Sequence, residues 1–520
     1  MTVLPRTVSC RGHDNATLLT LRTLMYMPAH PRTRHALTWT ALCAPLTLAC
    51  ASVHANEPPE RTGPVRAELG FERITLPGDE QVGLVGGSVL FPIAERWWAG
   101  LAVYGAATGQ RGGLFVGGAE FRREWELPWG WDLGTGLYAG GGGGASAPVG
   151  GGLMLRGALT LSRDLGPVRA GLTWSHVRFP SGDIQSSQWG VLLSWQRPFR
   201  YFDADAAGQS QPAGDATGLG FRRMAGTVGS YSLRGSDSRR IGLVGGRAEW
   251  ATATEGLFTG IEAAAAASGG AAGYMEILGT VGWRIAPWTA LPHLTFDLRG
   301  ALGLGGGGEV PTEGGSIGKL MAGASFDWGH GWRTGIEGGV LHGVGSSLRA
   351  NVAQLWLAMD LEPPSDAPGR GTLTRNEWSV TVQRQARAQR NDGSTRALDT
   401  IGMKLNRYVD DHIYLSAQAH SAFAGGAGAY SIGLIGVGAS TRPSGALRYG
   451  GELLLGAAGG GGVASGGGAI AQVLAWAGLP VTRDSELRAG VGAVKALRGG
   501  ELRSPVLELT WTKALGLGGR

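Results

Sequence analysis

Ser175-His176-Val177-Arg178-Phe179-Pro180-Ser181-Gly182-Asp183 holds the ingredients for nucleophilic chemistry. A histidine can take the proton of a serine hydroxyl that attacks an acyl carbon, provided the two side chains lie within hydrogen-bond reach. The other histidines beyond residue 55 (His293, His330, His342, His412 and His420) are scattered. None has metal-ligand spacing, so no metal is expected. The glycine runs Gly140–Gly144, Gly305–Gly308 and Gly459–Gly462 invite a phosphate-loop reading. No Lys-Ser/Thr, helix or dinucleotide fingerprint follows them, so no cofactor is expected and they read as turns and points of curvature.

The second class of candidate residue is ionic. Glu120, Arg122, Glu124 and Glu126 alternate along Phe115–Leu127, opposite a face of Phe115, Gly117, Ala119, Phe121, Trp125 and Leu127. Asp297 and Arg299 stand opposite Leu294, Phe296, Leu298, Leu302 and Leu304, and the pairs Arg333 with Glu337 and Gln383 with Arg387 continue the ladder. A charge on the lipid face of a membrane strand is costly, so these residues are expected to point into a lumen.

Strict alternation of this kind belongs to strands with one apolar and one polar face. Clusters of Gly, Pro, Asp and Ser separate the runs, as turns require. Leu453–Thr482 carries one charge-free stretch long enough for a membrane helix, but Gly459–Gly462 and Gly466–Gly468 interrupt it. Each interior glycine costs a helix about 0.8–1 kcal/mol, so two strands around a glycine-rich turn are expected there.

Composition agrees. Glycine supplies 93 of 520 residues and charged residues only 17%, against about 7% and about 25% in ordinary soluble chains. All three cysteines (Cys10, Cys43 and Cys50) precede residue 55, which excludes disulfide scaffolds and cysteine-ligated zinc from the remainder. The net charge of +6 comes without a dense Lys/Arg cluster, so nucleic acid is not an expected partner. From Met27, the basic residues Arg32, Arg34 and His35, an apolar stretch from Ala36 to Ala51 and Val53-His54-Ala55 make a secretory signal peptide, with cleavage expected before Asn56.

Three landmarks recur in one order. Gly83-Leu84-Val85-Gly86-Gly87 returns as Gly242-Leu243-Val244-Gly245-Gly246 and, faded, as Gly402-Met403-Lys404. The three glycine runs follow. Arg169-Ala170-Gly171-Leu172 then returns as Arg333-Thr334-Gly335-Ile336 and Arg488-Ala489-Gly490-Val491, each ahead of a strand tryptophan, Trp195, Trp356 or Trp511. Copies at a fixed spacing mark a repeat architecture. The expected division is residues 1–55 as N-terminal extension and signal, then β-repeats over 64–200, 217–362 and 371–515, with Tyr201–Gly218 and Glu362–Gly371 as joints.

The alternating runs, the export signal and tryptophans near strand ends (Trp97, Trp98, Trp125, Trp129, Trp131, Trp189 and Trp195) resemble outer-membrane β-barrel proteins as a class, over residues 64–515. The fold implied is an all-β transmembrane antiparallel barrel of about 24 strands, eight per repeat, with three tandem eight-stranded barrels as the alternative. The last strand is expected to end near Thr512, leaving Thr512–Arg520 as a tail. The implied location is the Gram-negative outer membrane, and the implied partners are its lipid, the barrel-assembly machinery and a secretion or export complex. The leading expectation for function is a channel for polar solutes or an exported polymer. A non-conducting scaffold or adhesin is the alternative. An enzyme is not expected, although the His176 segment resembles the loop of outer-membrane lipid A deacylases; there the serine comes two residues after the histidine, where this chain has Arg178.

Overall fold

The computed structural model describes residues 58–519 except 213–216, 236–237, 286–289, 362–369 and 443–446. The export segment and most of the second joint lie outside the described residues.

The alternating runs form strands. The first set is β1 (Arg61–Leu76), β2 (Glu80–Ala94), β3 (Trp97–Thr108), β4 (Phe115–Leu127), β5 (Trp131–Gly143), β6 (Met154–Asp164), β7 (Arg169–Arg178) and β8 (Gln185–Tyr201). A short β9 (Ser210–Pro212) follows. The second set is β10 (Arg223–Leu233), β11 (Arg240–Ala251), β12 (Leu257–Ser268), β13 (Met275–Ile285), β14 (Leu294–Gly306), β15 (Ser316–Gly329), β16 (Trp332–Gly343) and β17 (Arg349–Asp360). The third is β18 (Arg370–Gln389), β19 (Thr395–Tyr408), β20 (Ile413–Ala424), β21 (Ser431–Ser440), β22 (Arg448–Gly459), β23 (Ala469–Pro480), β24 (Ser485–Ala496) and β25 (Arg503–Gly519).

Each set of eight closes on itself. β1 pairs with β8 (Ala67 opposite Trp195), β10 with β17 (Thr227 opposite Trp356) and β18 with β25 (Val380 opposite Trp511). The three landmark tryptophans thus lie on the closing strands. The eight-strand repeat is realised, and of the two closures expected it is the alternative, three tandem eight-stranded barrels, that forms in place of a single sheet around one wide lumen. Each repeat satisfies its own two edges, and closure removes an exposed edge as fully as a larger ring would. A correction concerns the end of the chain. β25 continues past Thr512 to Gly519 because β18 begins at Arg370 and offers it a partner as far as Thr372.

The barrels are arranged in a ring. The third strand of each lies against the fifth of the next: β3 on β14, β12 on β22, and β20 on β5. The glycine runs sit at these seams. A β-carbon on Gly112 would come within 2.6 Å of the Glu313 carbonyl oxygen, and one on Gly141 within 2.6 Å of that of Ser421. One on Gly459 would collide with the Gly273 nitrogen. Backbone therefore packs on backbone from barrel to barrel. The Gly112 N–H donates to the Glu313 carbonyl, the Gly428 N–H to Gly150 at 3.2 Å, and the Ser316 hydroxyl to Ala107 at 2.7 Å. The glycines serve turns, as expected, and also this close approach.

The first landmark packs within its own barrel instead: a β-carbon on Gly86 would meet the Tyr104 ring, one on Gly245 the Ala263 carbonyl and one on Gly402 the Ala419 carbonyl. The second strands β11 and β19 also reach their neighbours, β22 in one case and β4 and β5 in the other. At the opposite end, Phe91 and Phe199 of the first barrel meet Trp378 of the third with ring centroids 5.2–5.5 Å apart. The segment after β8 adds to that contact: Ser210–Pro212 pairs with Arg370–Thr372, the start of β18, before the chain enters the second barrel.

Candidate functional site

The barrel interiors are where polar chemistry is concentrated, and each has two zones. Near the loops 109–114, 144–153 and 179–184, the first barrel is filled by Ile74, Val82, Leu114, Met154, Val177 and Ile184, all buried. Equivalent apolar layers include Ile241, Tyr274, Ile317 and Leu341 in the second barrel, and Leu398, Tyr430, Ile470 and Val494 in the third. Toward the other end, ion pairs fill the space.

In the first barrel Arg122 bridges Glu68 at 3.0 Å and Glu120 at 2.9 Å, while Glu72 accepts from Arg156 at 3.0 Å and from the Ser175 hydroxyl at 2.6 Å. In the second, Arg299 holds Glu262 and Glu337, each at 2.6 Å, and Lys319 holds Glu262 and Glu276 at 2.9 and 2.6 Å. In the third, Glu377 accepts from Arg488, Arg448 and Arg375 at 2.8, 3.0 and 3.0 Å. Lys404 there lies between Glu452 and Glu508, 3.0 and 2.8 Å away. Pairing is what makes such burial tolerable, since a lone buried charge costs several kcal/mol. The first barrel keeps two small cavities. A cavity of about 20 Å³ among Glu68, Glu72, Arg122 and Arg156, and one of about 10 Å³ beside Glu124 and Arg169, are each the size of one water molecule.

The structure places the eight candidate charges as follows. Glu120 and Arg122 are buried in the first barrel, and Asp297, Arg299 and Glu337 in the second. Glu124 is partly buried against Arg66 and Arg169. Arg333 joins Asp327 and Asp360 at 2.6 and 3.0 Å near the short-turn end. Glu126 stands apart: its side chain is 70% exposed and pairs with Arg96 beyond the rim. Glu126→Gln is accordingly expected to change unfolding free energy by less than about 0.5 kcal/mol in urea titration. Gln383 points inward to Glu508 at 2.6 Å, but Arg387 is exposed, because a bulge between Gln385 and Ala388 reverses the alternation. Trp98 also turns inward, with Arg66 stacked 4.1 Å from its ring, and Trp189 sits within β8 rather than at its end. The hub charges Glu68, Glu72, Lys319, Glu377, Arg448 and Lys404 were not singled out from sequence. Several share an inward face with an opposite charge two to six residues away (Arg66 with Glu68 and Glu72, Arg375 with Glu377, Arg448 with Glu452), and that spacing is the signal that could have found them.

His176 has a serine partner, though not the one its own segment suggested. Its Nδ1 lies 2.7 Å from the Ser187 hydroxyl oxygen on the neighbouring strand β8. Ser187 belongs to the outward face with Trp189, Val191 and Leu193, all exposed.

Outward faces are apolar in every barrel: Leu172, Val191, Ile336, Leu355, Leu453 and Leu509 are about half exposed or more, while the charges are inside. Soluble barrels have the reverse arrangement. An apolar exterior around a polar interior is what lipid selects. The chain is a transmembrane β-barrel protein. Trp97, Trp125, Trp129, Trp328 and Trp332 are exposed at the end with the shorter turns, as in an interfacial girdle.

No protein-family model matches the chain, and neither does any curated protein sequence. Solved structures similar to it include the siderophore receptor PirA of Pseudomonas aeruginosa, at 11% identity over 88% of this chain and 81% of that one, with a TM-score of 0.23. The Pseudomonas aeruginosa protein OccK11 (OpdR) gives 9% identity, 88% and 96% coverage and a TM-score of 0.23. The FrpB iron transporter of Neisseria meningitidis gives 10%, 87% and 81%, and 0.23. Superposition this slight leaves the function to be argued from the chain's own geometry.

Proposed function

We propose that this is an outer-membrane protein that acts through its surfaces, as a non-conducting scaffold or binding platform of three plugged barrels. The observation that carries this reading is the double filling of each interior, an apolar layer stacked on an ion-pair network. Eight strands leave a lumen that side chains can fill, and here they do. The longer loops at one end and shorter turns at the other suggest the orientation: long loops outside, the segments joining the barrels in the periplasm. The test is single-channel recording of the refolded protein in a planar bilayer. Insertion without stable current steps is expected. Large, long-lived steps would overturn the reading in favour of a channel for polar solutes.

A second reading is favoured by the His176–Ser187 pair alone. Ser187 would attack an acyl ester as its proton passes to His176 Nδ1, the alcohol would leave with that proton, and water would then release the acid from the acyl-serine. Fatty-acid release from outer-leaflet lipid by the intact protein, lost in Ser187→Ala, would establish it; no release would remove it.

A further inference from the structure

The long-loop ends of the seventh and eighth strands carry exposed basic residues in every barrel. In the second barrel His342 stands directly opposite Arg349, and in the third Lys495 stands directly opposite Arg503. All four side chains are exposed. Lys495 and Arg503 are like charges opposed across a strand pair, an arrangement that destabilises a sheet unless an anion sits between them, and Arg349 sets a cation at the equivalent end of the second barrel. Arg178 occupies the same end of β7 in the first barrel, opposite the uncharged Gln185. Among the described residues none of Arg178, Arg349, Lys495 and Arg503 has an ion-pair partner, although the acids Asp183 and Glu501 lie exposed on the adjoining turns.

The depth of these cations is set by the strands. On β25 the outward residues from Arg503 to Lys513 are Pro505, Leu507, Leu509 and Trp511. Arg503 and Lys513 thus bracket the roughly ten-residue span that a tilted strand needs to cross the hydrocarbon. On β17 the exposed Leu355 and Leu357 lie beneath Arg349 in the same way. The cations therefore stand at one interface, above lipid-facing apolar side chains and away from the glycine seams.

We propose that these strand ends form a repeated binding site for phosphorylated lipid headgroups of the outer leaflet, one per barrel, with the acyl chains lying on the apolar faces of β7, β8, β16, β17, β24 and β25. The inference rests on the outer-membrane reading and the orientation given above. A lipid phosphate between Lys495 and Arg503 relieves their repulsion, at the equivalent ends of the other two barrels it pairs with Arg178 or Arg349, and an attached acyl chain uses the surface below.

The test uses the full protein folded in mild detergent, with native mass spectrometry reading bound lipid. The probe is a bisphosphorylated, acylated glucosamine disaccharide. Its phosphate-free counterpart and excess inorganic phosphate are the comparison arms. Folding is checked first by heat-modifiable mobility on gels, so that a chain which fails to form membrane barrels is recognised before any lipid is added. The expected result is retention of the bisphosphorylated lipid. Retention should weaken about fivefold for each cation removed in Arg178→Gln, Arg349→Gln or the pair Lys495→Gln with Arg503→Gln. Equal binding of the phosphate-free lipid, unchanged binding in the folded variants, or complete displacement by the excess inorganic phosphate would each overturn the proposal.

Discussion

Glu377→Ala is expected to destabilise the third barrel by about 3–5 kcal/mol, the range found when one member of a buried ionic cluster is removed. Glu377 is fully buried and its two oxygens face three guanidinium groups, those of Arg375, Arg448 and Arg488. Without it, the neighbouring Glu486 alone remains to balance Arg448 and Arg488, which it contacts at 2.7 and 3.0 Å. Trp476 provides a local reporter, because Arg488 stacks 4.1 Å and Arg448 5.6 Å from its ring. Urea unfolding followed by tryptophan fluorescence should show a lower midpoint for the variant. Glu377→Gln, which keeps hydrogen-bond acceptors but not the charge, should fall between variant and parent. A loss below about 1 kcal/mol for Glu377→Ala would mean that water enters the third barrel and screens the cluster.

Valine at the three seam positions should open the ring while leaving each barrel closed. Gly112, Gly141 and Gly459 need no left-handed backbone, so strain within their own barrels is not at issue. What a side chain meets is backbone of the next barrel, at Glu313, Ser421 and Gly273 respectively. Backbone yields less readily than a flexible side chain, and overpacking of this kind costs about 1–3 kcal/mol per site. Cysteines at Ala107 and Ser316 would report the first seam, since these residues share a hydrogen bond across it. A short bismaleimide should bridge them in the parent and fail to do so in Gly112→Val, with heat-modifiable mobility retained in both. Gly157→Val is the control, because a β-carbon there meets nothing within 4 Å. Efficient bridging in Gly112→Val would show that the seam accommodates side chains and that its glycines serve turns alone.

The strands were legible because alternation is a local property. Glu120 and Arg122 could be assigned to one face from their spacing, and the glycine-interrupted stretch after Leu453 could be read as β22 and β23. The triplication was legible because its landmarks fall on equivalent strands. Closure was not. Whether β8 pairs with β1 or with the start of the next repeat is decided by backbone hydrogen bonds that are nearly indifferent to side chains. The joints held the available clue: Tyr201–Gly218 is far longer than the few residues that join neighbouring strands of one sheet. The interior networks were half legible. A run such as Glu120–Glu126 attracts notice, yet its last member lies past the rim, and a bulge turned Arg387 outward where simple alternation puts it inside. Lys404 meets Glu452 across 48 positions and Glu377 meets Arg448 across 71, pairings that no local pattern encodes.

The ring of seams, each a third strand on a fifth, is made within a single polypeptide. Three separate copies joined by the same contacts would assemble and dissociate with their surface density in the membrane. Covalent linkage instead holds the barrels at a high effective concentration, so stoichiometry is fixed when the chain is made. It also frees each barrel from identity with the others. A substitution in a homotrimer is felt three times, whereas here it is felt once. The interiors use that freedom: one acid gathers three arginines in the third barrel, while in the second Glu276 accepts hydrogen bonds from Tyr231 and Tyr274 as well as from Lys319. The seams are less free to vary, because each must still fit its neighbour if the ring is to close.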